Sequence, residues 1–194
     1  MKPEQLSRKE FLNQSVRLGV LIVGAGTASS LLHSCSNSPA GAKDRGLVFA
    51  NLDDADEELE KLRKASKILP YGEWSPAQIL LHCAQSIRYS IQGYPENKPA
   101  IFQNTVGRLA FWNFERKGRM SHDLNAPIPG ADILKPSATL EEGIFELRKA
   151  FEAFIEHRGE FAPHFAYGAL SKKEYESAHA MHIANHLTYL DYSF

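Results

Sequence analysis

The sequence predicts an all-α protein whose helices pack into a bundle, and three observations lead to this fold class. Capping boxes, in which Ser or Thr is followed three residues later by Gln or Glu, begin at Ser75, Thr139 and Ser171. Each box opens a segment in which apolar residues recur with the period of an α-helix. No segment alternates apolar and polar residues for long enough to predict a strand. Amphipathic helices of this kind bury their apolar faces against one another, and bundles build ligand sites between facing helices.

The first two predicted helices precede a Gly93-Tyr94-Pro95 turn. Residues 55–69 follow a pair of aspartates and pass from acidic to basic side chains, an order that the helix dipole favours. Residues 75–91 form the second helix, because Pro76 stands at its first position, where proline is well tolerated. The glycine and proline of the turn then end this helix.

Three further helices are expected toward the carboxyl end. Residues 99–117 form an aromatic-rich helix that is too apolar for a solvated face, so we expect it to be buried. Residues 121–137 contain three prolines and one glycine and form a long irregular loop. The two remaining capping boxes open helices over residues 139–157 and 172–189, which brings the number of helical segments to five.

His182 and His186 are four residues apart in the last predicted helix, so they project from one face with Cβ atoms roughly 6 Å apart. Two such imidazoles can bind one divalent metal ion, whose nitrogen ligands lie at about 2.0–2.1 Å. The first histidine is followed by Ile183 instead of the glutamate of hydrolytic zinc motifs, so a zinc protease is not predicted. His179 lies on the same face of this helix. Several buried imidazoles need several hydrogen-bond partners, and one metal ion can take the place of these partners. The alternative is a hydrogen-bonded core cluster.

A third ligand has to come from another helix, and the second helix supplies His82. Polar residues at three, four and seven positions from His82 form a stripe on this otherwise apolar helix. Buried polar groups cost free energy unless they are satisfied, so we expect the stripe to line a cavity. The alternative is a solvent-facing stripe. The candidate substrate-binding residues are Gln78, Gln85, Ser86, Tyr89 and His164.

His164 lies in the loop that enters the last helix, where it either faces substrate or caps the loop. Cys83 is expected to be a small core residue. His122 and His157 fit no pattern and are expected to be exposed to solvent.

Catalysis would need a general base, and no aspartate or glutamate lies on either histidine stripe. Tyr89, Tyr175 and His179 are the only candidates for this role. A three-histidine metal with open positions can still activate water or polarise a substrate. Zinc is the first expectation, with nickel or iron as alternatives. The predicted function is a metal-dependent hydrolase or transferase acting on a small molecule, and the alternative is a metal-binding or stress-associated module without turnover.

The amino end is predicted to be a signal peptide over residues 1–34. A basic stretch is followed by an apolar run over 18–32, which is shorter than the ~20 residues of a stable membrane anchor. Leu32-His33-Ser34-Cys35 resembles the bacterial lipobox, which implies cleavage before Cys35 and lipidation of its thiol. The alternative is a general secretory signal with a chance cysteine.

The export route has two candidate pathways, because Ser7-Arg8-Lys9 resembles the twin-arginine motif with lysine in place of the second arginine. Residues 35–46 are predicted to be a flexible tether and 47–194 a single domain. We therefore expect a lipid-anchored protein on the periplasmic or extracytoplasmic side of the bacterial envelope.

Composition limits the partners. The net charge of −1 offers no basic surface for nucleic acid, so binding of DNA or RNA is not expected. Of the two cysteines, Cys35 is assigned to lipid, so Cys83 has no partner for an intramolecular disulfide. The membrane is expected to be a partner through the lipid anchor only.

The Trp-Ser-Pro-Ala-Gln segment ahead of His82, combined with the last-helix histidines, resembles the DinB/YfiT-like superfamily of metal-binding four-helix bundles. Segments 81–87, 93–95 and 164–171 are similar to a DinB-related branch described as a domain of unknown function, over residues 51–192. The resemblance implies a four-helix bundle with a long crossover and an additional short or bent helix, frequent dimerisation, and His82, His182 and His186 as metal ligands. Some relatives are associated with thiol-cofactor transfer. The additional His179 leaves the ligand list open.

Overall fold

A computed structural model describes residues 41–194, so the predicted signal peptide, Cys35 and most of the predicted tether lie outside the described residues. Within this range the chain forms five helices and one two-stranded sheet. The mostly helical class is therefore confirmed. In chain order the elements are α1 (Leu52–Lys64), β1 (Lys67–Pro70), α2 (Pro76–Gln92), α3 (Ala100–Phe102, a π-helical turn Gln103–Gly107, and Arg108–Lys117), α4 (Leu140–Glu156), α5 (Lys172–Leu187) and β2 (Leu190–Ser193).

The three capping boxes open α2, α4 and α5 as predicted. In each box the Ser or Thr hydroxyl accepts from the backbone N–H three residues on, and the Gln or Glu side chain accepts from the capping residue's N–H. This reciprocal bonding satisfies two backbone N–H groups that have no partner within the helix. Predicted and observed starts of these helices therefore agree within a residue.

The first helix differs from its prediction at both ends. Asn51 caps it by accepting a hydrogen bond from the Asp54 N–H at 3.0 Å, so the helix begins at Leu52. It ends at Lys64, because the following residues form β1, which pairs antiparallel with β2. Ile68 stands opposite Tyr192 in this sheet. The prediction of a helix to residue 69 is thus wrong, since pairing with a distant segment outweighs local helix propensity.

The core lies between four helices. The α2 helix packs against α4 and α5, and α1 packs against the same two helices. The α2–α4 contact is close, because a Cβ on Gly143 would stand 3.1 Å from the Ala77 carbonyl oxygen. Each fully buried aliphatic side chain contributes roughly 1.5–3 kcal/mol. Residues with no exposed surface include Leu59, Leu62, Leu80, Ile87, Leu147, Ile183 and Leu187.

The α3 helix is less buried than its composition predicts. Exposed fractions are 77% for Ile101, 65% for Leu109 and 57% for Trp112. Only Gln103 and Gly107 of the π-helical turn, and Phe111, are buried. The expectation of a buried α3 is therefore wrong, and the helix presents an apolar stripe to the surroundings.

The buried carboxylate of Glu58, on α1, forms hydrogen bonds with residues near both ends of the described chain. Glu58 is 1% exposed, and its carboxylate accepts from Arg45 at 2.5 Å, from Tyr192 at 2.9 Å and from Lys61 at 3.1 Å. The Arg45 guanidinium also donates to the Leu190 carbonyl oxygen at 3.1 Å. Specific contacts with the domain therefore begin within the segment predicted to be the tether. From residue 41 onward, no helix has the length and hydropathy of a membrane-spanning segment.

Candidate metal centre

Packing of α2 against α5 brings three histidine rings together. One ring nitrogen from each of His82, His182 and His186 lies within 4.8 Å of the other two. The Nε2 atom of His182 lies 3.2 Å from that of His82 and 3.1 Å from that of His186. Nitrogen ligands at about 2.0–2.1 Å from one ion stand roughly 2.8–3.4 Å apart at octahedral or tetrahedral angles. The two separations to His182 fall in this range, and the grouping of the three nitrogens is one that could hold a metal ion.

Hydrogen bonding alone leaves this cluster incomplete. A neutral imidazole carries one proton, so in the Nε2 contacts His182 can donate to only one of its two neighbours. The Nδ1 atoms of His82 and His186 are buried and have no hydrogen-bond partner among the described groups. A metal shared by the three Nε2 atoms would relieve the conflict at these atoms, because each would offer its lone pair to the ion and none would need to donate. The donor set therefore fits a divalent transition metal.

Burial also keeps the cluster in the form that binds metals. Desolvation, with repulsion from His122, lowers the pKa of His82 to about 3. Desolvation is also the main cause for His182 and His186, and together with repulsion from neighbouring histidines it lowers their pKa values well below the ordinary range. These imidazoles are therefore neutral at pH 7 and have lone pairs free for a cation. The indole of Trp74 packs beside them, with its ring centroid 4.8 Å from that of His82.

His122 joins this group, although it was expected to be exposed. It lies in the loop between α3 and α4, with its ring centroid 4.9 Å from those of His182 and His186. Its Nε2 atom is buried without a hydrogen-bond partner, so the expectation of exposure is wrong. The local signal was weak: Met120 and Leu124, both buried, lie two residues before and after it. Ser121 and Asp123 between them are exposed, so this alternation marks the inner side of the loop.

A cavity of about 270 Å³ adjoins the cluster. His82, His122 and His182 line it, as do His164 and His179. Among the described residues that line it, none is an aspartate or glutamate. The remaining lining residues are one serine, one lysine and mainly apolar side chains: Ser86, Lys98, Met120, Ala126, Pro127, Ile128, Pro129, Phe165, Tyr167 and Ala178.

Of the five candidate substrate-binding residues, two line the cavity and three do not. Ser86 and His164 line the cavity. The Gln78 side chain instead accepts from the Ser75 N–H at 3.0 Å as part of the capping box. Gln85 donates to the Asp132 carbonyl oxygen at 3.0 Å. Tyr89 packs its ring 5.8 Å from that of Tyr94, and none of these last three lines the cavity.

The imidazole of His164 has a fixed tautomer. Its Nδ1 atom accepts from the backbone N–H groups of Ala166 at 3.1 Å and Tyr167 at 3.2 Å. An accepting nitrogen cannot carry the proton in a neutral imidazole, so the proton is on Nε2. Burial, with repulsion from His179, lowers the pKa of His164 to about 3. His164 thus caps its own loop and presents a cavity-lining ring whose Nε2–H is a donor.

The π-helical turn of α3 holds this loop in place. The Gln103 side chain donates to the carbonyl oxygens of His164 at 3.2 Å and Phe165 at 3.1 Å. A Cβ on Gly107 would stand 1.8 Å from the Ala166 carbonyl oxygen, so only glycine permits this approach. Turns of this type often occur at functional sites.

The three candidates for a general base have different surroundings. The Tyr175 hydroxyl donates to the Ala162 carbonyl oxygen at 2.7 Å, and burial raises its pKa, so it stays protonated. His179 lines the cavity, its Nε2 atom is buried without a partner, and burial lowers its pKa to about 3. Tyr89 lies outside the cavity lining. Cys83 is fully buried in the core, as predicted.

The fold and the site define a mostly helical protein in which three histidines, two of them buried and His182 partly buried, could hold a metal ion. The family described as "Protein of unknown function (DUF1569)" matches residues 41–192, so the chain belongs to this family. Comparison with curated proteins found no match. Comparison with solved structures found none either.

Proposed function

We propose that this protein is a metal-dependent hydrolase or transferase that acts on a small molecule through a three-histidine site. The observation that carries the proposal is the meeting of three Nε2 atoms, from His82, His182 and His186, beside a cavity. Zinc is the proposed ion, with nickel or iron as alternatives. When bound, such an ion would supply Lewis acidity toward a substrate oxygen or sulfur.

The residues around the cavity favour a particular class of substrate. The Nε2–H of His164 can donate to an acceptor, such as an oxygen atom of the bound molecule. Lys98, at the exposed end of the lining, favours a negative charge, and no lining carboxylate opposes it. Met120, Ile128 and the other apolar residues suit a hydrocarbon body. We therefore propose a small oxygen-bearing or anionic substrate with an apolar portion.

In this proposal His179 would be the general base that transfers protons. Its unpartnered Nε2 atom and low pKa make it a weak base that is neutral at pH 7.

The second candidate function is a metal-binding module without turnover. The lack of a carboxylate among the described lining residues favours it, because no strong general base faces the cavity. Turnover of any ester, amide or thiol-transfer substrate that requires metal and is lost in His179→Leu would decide for the enzyme.

The first test is metal content. We expect protein purified without added metal to contain one divalent ion per chain, and His182→Ala to lose most of it, because His182 contributes the central Nε2 atom. Elemental analysis measures the ratio. His157→Ala is the matched control, since the His157 Nε2 atom bonds to the Glu160 carbonyl oxygen at 3.1 Å and His157 is not in the metal-binding group. Unchanged metal content in His182→Ala would rule out the site.

The domain architecture and the location of the protein are also proposals. The mutual packing of α1, α2, α4 and α5 supports a four-helix bundle of the DinB type, with α3 as the additional bent helix and the loop after it as part of the crossover. The apolar stripe on α3 supports a homodimer. Sedimentation would measure the oligomeric state.

Lipid anchoring through Cys35 at the bacterial envelope is proposed from the lipobox. Loss of acylation in Cys35→Ala would support this proposal, and acylation that persists in this variant would contradict it.

A further inference from the structure

We infer that His122 is a fourth ligand of the same metal ion, delivered by the loop between α3 and α4. This inference rests on the proposed function, because it concerns the ion held by His82, His182 and His186. The loop supplies the ligand from a third part of the chain, whereas the other three come from two packed helices.

The spacing of the rings is the first argument. The His122 centroid lies 4.9 Å from those of His182 and His186, and the three pairs within the cluster are 4.8–5.0 Å apart. Imidazoles bound through Nε2 at about 2.1 Å place their ring centroids roughly 4.6–5.3 Å apart at octahedral or tetrahedral angles. All five separations fall in that interval. By ring spacing, His122 is as close to the α5 histidines as His82 is.

The protonation of His122 is the second argument. Its Nδ1 atom lies 2.8 Å from the Asp123 carbonyl oxygen, which can only accept, so Nδ1 carries the proton. The lone pair is therefore on Nε2, which is buried without a partner. A carbonyl that orients one imidazole nitrogen while the other binds metal is a frequent arrangement at metal centres. The Nδ1 atoms of His82 and His186 have no such partner among the described groups.

His122 lies in a segment without regular secondary structure. His122 is outside the set of ring nitrogens that all lie within 4.8 Å of one another, so ligation requires its Nε2 atom to move closer. Met120 and Leu124 are buried on either side and keep the segment against the domain. Since residues 119–123 are neither helix nor strand, a small shift breaks no regular hydrogen-bond ladder.

A fourth histidine changes what the site can do. Four neutral imidazoles complete a tetrahedral ion, whereas an ion with six positions retains two for a substrate. Access to a tetrahedral ion would thus depend on release of His122 from it. The loop that carries His122 also contributes Ala126, Pro127, Ile128 and Pro129 to the cavity wall, so the proposed ligand and this part of the wall belong to one segment.

The test compares His122→Phe, which keeps a ring and removes both nitrogens, with His157→Phe as the matched control. Zn²⁺ is titrated into metal-free protein against a chromophoric chelator. We expect the Kd of His122→Phe to rise about tenfold or more, at least the loss seen when outer partners of metal ligands are changed. His157→Phe should bind as wild type. X-ray absorption should count four imidazoles around the ion in wild type and three in His122→Phe.

Two measurements separate this inference from the proposed function. Circular dichroism of the metal-free variants shows that each is folded. If His122→Phe binds Zn²⁺ with the wild-type Kd and the same number of imidazoles, while His182→Ala loses the ion, His122 is not a ligand and the three-histidine site stands. If His182→Ala also binds as wild type, the site itself is wrong and the inference falls with it.

Discussion

The histidines of the cavity owe their protonation state to burial. His164 and His179 are both nearly enclosed, and desolvation is the largest cause of the pKa of about 3 that each has in the folded protein. An unfolded chain returns each ring to water and to an ordinary pKa near 6.5. Between these values the unfolded state binds more protons, so stability is fully present above about pH 6.5 and declines as the pH falls.

This difference predicts the pH dependence of metal-free protein. His179→Leu removes one such group, so from pH 6 to pH 5 we expect its free energy of unfolding to fall less steeply than that of wild type. The difference in slope approaches one proton, or about 1.4 kcal/mol per pH unit. Urea unfolding at pH 7, 6 and 5 measures it. Parallel stability curves for the two proteins would show that His179 is not protonated on unfolding in this range.

Individual site residues were predictable where helical spacing applies. His182 and His186 share a face at four residues' separation, and an apolar helix with one imidazole pointed to His82. His122 was missed, because a loop has no period to show which side chains turn inward. The role of Gln78 could be read in two ways, since the residue that completes a capping box also lies on the His82 stripe.

At the scale of elements, the π-helical turn of α3 positions the loop that carries His164. Gly107 contacts this loop so closely that an added Cβ would overlap a backbone oxygen. Replacement of a helical glycine by alanine usually stabilises a protein by roughly 0.5–1 kcal/mol. Here the sign should be reversed.

We expect Gly107→Ala to lower stability by about 1–3 kcal/mol, the cost of overpacking in a close-packed region. It should also reduce binding of any ligand that uses the Nε2–H of His164. Thermal unfolding measures the first effect. Asn104→Ala, at an exposed position of the same turn, is the matched control and should change little. A stabilised Gly107→Ala would mean that the loop is not held against α3.

The elements themselves were predictable to the extent that their signals are local. The capping boxes at Ser75, Thr139 and Ser171 placed three helix starts, because their hydrogen bonds span only three residues. The β1–β2 pair could not be predicted in this way, since Lys67 pairs with Ser193 near the other end of the domain. The exposed face of α3 was equally hidden, because composition does not say whether an apolar face has a neighbour.

At the scale of the whole molecule, Arg45 connects the start of the described chain with its end. Its guanidinium contacts Glu58 of α1, Tyr192 of β2 and the Leu190 carbonyl oxygen. The carboxylate is 1% exposed, so water cannot replace these bonds without opening the structure.

Arg45→Ala should therefore lower the free energy of unfolding by about 2 kcal/mol, as expected when a charged hydrogen-bond partner is removed from a buried group. Arg119→Ala is the control, because its pair with Asp44 at 3.2 Å is exposed on both sides and worth at most about 1 kcal/mol. Urea unfolding compares the two. Equal losses would indicate that the buried position of Glu58 adds nothing to this ion pair.

The packing of Trp74 against the histidine cluster gives the protein a built-in optical signal. Its indole centroid lies 4.8 Å from that of His82 and 6.2 Å from that of His186. The chain has one other tryptophan, Trp112, which is 57% exposed on α3. Trp112→Phe would leave Trp74 as the single tryptophan, packed against two of the metal-binding candidates. Its emission would be quenched by a paramagnetic ion such as Cu²⁺ or Ni²⁺, so occupancy of the site could be followed by fluorescence without a dye.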